Sequence, residues 1–148
     1  MISIFGITSI FIAIISIAVI ILHNRIMKRR TPVDIYMAEL EELVRQRMEM
    51  LYKISTPGTD LNQLCANYID LDFNAILDVL PDINDAFNIS EEKHTTDTTA
   101  LDENADIINK TTDTLNQAIK YYNDYISKSP TEIAMAKILG LEEVEPVI

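Results

Sequence analysis

The chain has no tryptophan, only three glycines and a single cysteine among its 148 residues, and no charged side chain precedes Arg25. So few glycines argue against a β-rich fold whose tight turns need residues with positive φ. One thiol, Cys65, makes no intramolecular disulfide, which fits a reducing compartment. Also missing are a glycine-rich phosphate loop, a nucleophile elbow and an HExxH pair. Nothing in the sequence argues for an enzyme, and no cofactor or metal is expected.

What is present begins with an unbroken apolar stretch. Ile2 to Leu22 runs 21 residues without charge or proline and includes ten isoleucines. At about 1.5 Å per residue it gives roughly 32 Å of helix, enough to cross a hydrocarbon core of about 30 Å. Its hydroxyls, Ser3, Thr8, Ser9 and Ser16, are each able to donate to a carbonyl one turn back. Residues 1–22 are therefore expected to be a transmembrane helix. A cleaved signal peptide is the rival, but it requires a basic n-region, a shorter core and a small-residue cleavage site. Here the n-region is uncharged and arginines stand where cleavage would occur.

Residues 23–32 form a basic collar carrying Arg25, Lys28, Arg29 and Arg30. Positive residues beside a span stay cytoplasmic, so the N-terminus is expected outside and residues 33–148 in the cytoplasm. After Arg30 the chain holds 8 basic and all 23 acidic residues, a balance of −15. That surface repels nucleic acid, while the collar suits an anionic lipid leaflet, so the bilayer is an expected partner and nucleic acid is not.

The soluble part reads as all-α. Thr31-Pro32 looks like a helix start, and Val33, Met37, Leu40, Val44, Met48 and Leu51 then fall on one helical face. Ser55-Thr56-Pro57-Gly58-Thr59 is a turn. A second helix is expected from Thr59 or Asp60 through Leu80 to Pro81, then a short amphipathic piece over 82–88. Residues 90–99 read as a mobile polar loop. In the third helix Leu101, Ile108, Leu115 and Tyr122 form one seven-residue series, and Ala105, Thr112, Ile119 and Ile126 the other. Pro130 opens a fourth helix that Gly140 caps, and residues 141–148 form a docked extended tail. The expected architecture is a single transmembrane helix followed by an antiparallel helical bundle. An elongated coiled-coil dimer using the same seam is the alternative.

Candidate sites are few. Asp70 to Asp78 matches several positions of a calcium loop, but Ala75 stands where glycine is needed and Pro81 where a bidentate glutamate belongs. His23 and His94 are isolated, and Cys65 sits at an expected core position. Asn88-Ile-Ser90 and Asn109-Lys-Thr111 fit a glycosylation pattern that a cytoplasmic domain never uses. The more interesting set is Tyr121, Tyr122, Asn123, Asp124 and Tyr125, which is either packing at the end of the seam or a partner-binding patch.

The string Tyr122-Asn123-Asp124-Tyr125-Ile126, followed by Ser129-Pro130, Ile133, Ala136, Leu139-Gly140-Leu141 and Pro146, resembles the C-terminal signature of the LemA family. The anchor, the collar and a first helix with Arg45-Gln46-Arg47 fall where that family places them. The chain departs in its short middle, in Leu141 replacing an aromatic residue, in a helix after Pro130 about one residue longer, and in lacking a Pro-Asn-Leu step. The resemblance implies a single-pass bacterial inner-membrane protein with a cytoplasmic helical bundle, in a family without an agreed biochemical activity. The expected role is a non-enzymatic membrane-anchored protein that binds partner proteins or self-assembles at the inner face. The alternative is the input module of a membrane signalling system.

Overall fold

A computed structural model describes residues 4–147; Ile2 and Ser3 of the expected span, and Ile148 of the expected tail, lie outside the described residues. All regular structure among these residues is helical: α1 (Ile4–Ile54), α2 (Asp60–Tyr68), α3 (Phe73–Ile89), α4 (Glu92–Thr95), α5 (Thr99–Ile126) and α6 (Pro130–Ile138). The helix running from Gly6 to Ile54 is long and apolar enough to cross a membrane, and the apolar window that qualifies it is 0% buried. Within it Ser16 Oγ donates to Ile12 O at 2.9 Å, so the hydroxyl is satisfied without water.

The expected helix start at Thr31-Pro32 is a correction. α1 continues through Pro32, which lies inside the helix. Proline removes one backbone donor there and crowds the carbonyl one turn back, at a cost of about 3 kcal/mol or more. Full burial of Ile26 and near-full burial of Val33 on either side favour keeping the helix continuous. Thr31 donates its hydroxyl to Met27 O at 2.9 Å in the same turn.

The chain divides into two compact units, one made of Met1–Ile35 with Thr114–Ile148, the other of Tyr36–Asp113. In the second unit Leu40, Val44, Met48 and Leu51 are fully buried, with Leu61, Cys65, Ile76, Ile83, Phe87 and Leu101 completing the core. Most of the predicted α1 face is thus the buried one; Met37 is only half-buried. Burial pushes the Cys65 thiol up to about 11, as befits a small apolar core residue rather than a nucleophile.

The helix expected to run from Asp60 to Pro81 is instead two. α2 ends at Tyr68, and Arg45 donates to Ile69 O at 3.3 Å and to Leu71 O at 3.1 Å, satisfying carbonyls that the break exposes. Asp72 then caps α3, its Oδ1 accepting from Asn74 N at 3.1 Å and Ala75 N at 3.2 Å. The carboxylate that resembled a calcium ligand is an N-cap. α3 in turn runs through Pro81, because Ile76, Ile83 and Phe87 beyond and before it all bury on one face.

Residues 90–99 are not the featureless loop expected. They include the single turn α4, whose Glu92 is 8% exposed and accepts a hydrogen bond from Thr56 N at 2.9 Å. That bond, with further ones from its own backbone N–H and the Ser90 hydroxyl, holds the carboxyl at about 2. It ties α4 to the turn after α1.

α5 differs from its predicted seam in the first half. Leu101, Asn104 and Thr111 are buried, while Ala105, Ile108 and Thr112 are half-buried. Asn104 is drawn in by a bond rather than by hydrophobicity: its Nδ2 donates to Leu43 O at 3.2 Å. Nearby, Arg47 is 9% exposed and donates to Leu101 O at 2.9 Å and Asn84 Oδ1 at 2.8 Å. From Leu115 onward the predicted positions Ile119, Tyr122 and Ile126 are buried as expected.

Candidate functional site

The site lies in the unit formed by Met1–Ile35 and Thr114–Ile148 and joins the two residue sets singled out in the sequence. The continuous α1 helix carries the collar straight out of the apolar stretch without a hinge. The last turns of α5 present the tyrosines. The Arg29 guanidinium lies 4.5 Å from the ring centre of Tyr121 and 4.1 Å from that of Tyr125, so two rings flank one cation. Arg30 lies 5.3 Å from the Tyr122 ring and pairs with Asp34 at 2.8 Å. Cation–aromatic contacts of this kind contribute about 0.5–2 kcal/mol each, more where water is excluded. Arg30 is held more basic than usual, since burial, which lowers it, is outweighed by Asp34 and Tyr122.

The predicted contact set therefore separates. Tyr122 is fully buried and donates its hydroxyl to Glu142 O at 3.2 Å. Asn123 is committed to the tail, whereas Tyr121 is 60% exposed, Asp124 is exposed and Tyr125 is half-buried. Arg25 and Lys28 are exposed and, with Arg29, Tyr121 and Tyr125, line an open cleft of about 500 Å³.

The second feature of this unit is how the tail is held. α6 ends in a Schellman motif: Gly140, at φ +64°, donates to Lys137 O at 3.2 Å, and Leu141 N donates to Ala136 O at 2.8 Å. The positive φ turns the chain back as the predicted extended segment. Asn123 Nδ2 donates to Val144 O at 2.8 Å while its Oδ1 accepts from Val144 N at 3.0 Å. Asn116 repeats the arrangement on Val147, at 2.7 and 2.8 Å. Two asparagines seven residues apart on a helix are separated by about 10.5 Å. Three residues of extended chain span about 10 Å. The registers match, so each amide grips one backbone unit.

Sequence reasoning missed Asn116 and this clamp. The available signal was an asparagine pair at heptad spacing beside the apolar seam, which an apolar periodicity does not weigh. A separate cleft of about 540 Å³ lies in the other unit, lined by hydroxyl and carboxyl groups of Thr56, Thr59, Asp60, Glu91 and Glu92 beside Ile89. Among the described residues no three His, Cys, Asp or Glu side chains are grouped to hold a metal ion. No protein-family model, curated protein or solved structure matches the chain.

Proposed function

We propose that the chain is a LemA-type, single-pass protein of the bacterial inner membrane, with its N-terminus outside and the part after the collar in the cytoplasm. It acts without catalysis, binding partner proteins or further copies of itself at the inner face. One observation carries this reading: ten large apolar side chains between Ile7 and Ile21 stand 43–66% exposed along α1. With about half of each side chain still in water, they forfeit on the order of 1 kcal/mol each, and a bilayer removes that penalty.

Other features support the finer parts. Four cations directly follow the span and none precedes it, which favours a cytoplasmic collar. Arg47 meets Leu101 while Leu43 meets Asn104, an order of pairing that supports antiparallel helices. The residues that carry the LemA resemblance, Tyr122, Asn123, Pro130 and Gly140, are also those that start α6, turn the chain and dock the tail, which favours reading them as one module. Tyr121 and Asp124 are the members of the predicted contact set left open to a partner.

Cross-linking from membranes containing the full-length protein tests the reading. The wild type should give defined products with another protein or with itself, diminished by Tyr121→Ala and Asp124→Ala. Cross-linking that yields only the single chain would overturn the interaction role. Tyr122→Ala is unsuitable, because removing a fully buried ring unfolds its surroundings.

A further inference from the structure

We propose that the cleft formed by Arg25, Lys28, Arg29, Tyr121 and Tyr125 binds the phosphate of an anionic phospholipid headgroup. The inference rests on the preceding reading that α1 spans the bilayer, and adds a specific ligand site at its cytoplasmic end.

Charge is the first argument. The chain carries 23 carboxylates, yet the cleft wall contains three cations and no acid. Of the four other cations on α1, three are neutralised one turn away, Arg30 by Asp34, Arg45 by Glu41 and Lys53 by Glu49, and the fourth, Arg47, is buried and donates to Leu101 O and Asn84 Oδ1. Among the described residues Arg25, Lys28 and Arg29 have no ion pair. Three cations at positions i, i+3 and i+4 share one face of the helix, so their fields add at the same opening.

Geometry is the second. The Arg29 guanidinium lies within 4.5 and 4.1 Å of the Tyr121 and Tyr125 ring centres, which restrains it at the cleft. Its Nε is buried and has no hydrogen-bond partner among the described residues. A cation restrained at the cleft without a protein acceptor is a charge-assisted donor for a phosphate that enters it. The opening, about 500 Å³, exceeds what one phosphate needs and leaves room for the rest of a headgroup.

Depth is the third, and it selects the source of the phosphate. Arg25 to Arg29 lie three to seven residues beyond Leu22. On a continuous helix that is roughly 4.5–10.5 Å past the hydrocarbon edge. The headgroup layer extends roughly 5–8 Å beyond that edge on each side. Tyrosines at this level match the interfacial preference of amphipathic rings. A lipid phosphate is thus delivered to the cleft by the bilayer itself, whereas a soluble phosphate must enter from water.

The test uses full-length protein and native mass spectrometry of the lipid retained after extraction from vesicles of phosphatidylcholine with and without phosphatidylglycerol. The wild type should keep phosphatidylglycerol, and Arg25→Gln should weaken retention about tenfold, the value of one charge-assisted bond. Arg30→Gln removes a collar charge that lies outside the cleft, about 7.5 Å further along the helix than Arg25, and should change retention little. Equal losses in the two variants, or none in either, would overturn the pocket in favour of diffuse attraction or no binding. Displacement of the lipid by inorganic phosphate would overturn the lipid assignment. Flotation with the vesicles separates the two readings: protein that fails to insert refutes the anchor, and this site with it, while inserted protein with unselective retention refutes the site alone.

Discussion

Replacing Asn123 with alanine should release the middle of the C-terminal tail without unfolding the helices that hold it. The side chain makes two hydrogen bonds to one backbone unit, Val144, at 2.8 and 3.0 Å. Each such bond is worth about 1 kcal/mol net, because the tail groups regain water when freed, so the pair amounts to about 2 kcal/mol. At 1.4 kcal/mol per factor of ten, local opening at Val144 should become about 30-fold more frequent. Amide hydrogen exchange of the full-length protein in nanodiscs, followed on peptides covering the tail, reads this directly. Val147 should change less, since Asn116 still grips it at 2.7 and 2.8 Å. Asn123→Asp keeps an acceptor but loses the donor, and sets a carboxylate against Val144 O between Glu143 and Glu145; it should release the tail as fully as alanine. Unchanged Val144 exchange in Asn123→Ala, with Asn123→Asp equally silent, would refute the clamp.

Two further outcomes follow from the other unit. Arg47→Met removes bonds to Leu101 O and Asn84 Oδ1 and deprives Asn84 Oδ1 of its arginine donor; a loss of about 2–4 kcal/mol is expected, read as a fall in Tm of about 10 °C by circular dichroism. Glu92 is held at about 2 against an ordinary value near 4.5, so the unfolded chain takes up its proton first as the solution is acidified. The stability Glu92 contributes is therefore complete above about pH 4.5 and lost as pH falls towards 2. The Tm gap between wild type and Glu92→Gln should shrink over that window, and a gap independent of pH would show that the Thr56 contact does not select the charged form.

Apolar periodicity was legible wherever burial alone decides position. Leu40, Val44, Met48 and Leu51 on α1, and Leu115, Ile119 and Tyr122 on α5, were all read correctly from spacing. It failed where a polar group decides. Asn104 displaces Ala105 from the seam because its amide reaches Leu43 O, and Arg45 and Asp72 end one helix and begin the next inside a stretch whose apolar residues alone read as continuous. Proline misled in the opposite sense. Pro32 and Pro81 each resemble a boundary, yet lie inside helices, since one lost donor weighs less than the apolar face that continuity buries. The site was legible as two separate lists, the collar and the tyrosines. Their meeting was not, because no local pattern encodes that Arg29 falls between Tyr121 and Tyr125.

We propose that α1 crosses the bilayer with the collar on the cytoplasmic side, and a single thiol tests this directly. Lys128 is exposed and just past α5, and Cys65 is fully buried and unpaired, so a Cys65→Ser background carrying Lys128→Cys offers one accessible thiol. A membrane-impermeant maleimide applied to intact spheroplasts should leave that thiol unlabelled and react fully once the membrane is permeabilised. Labelling before permeabilisation would place the folded units outside and contradict the account.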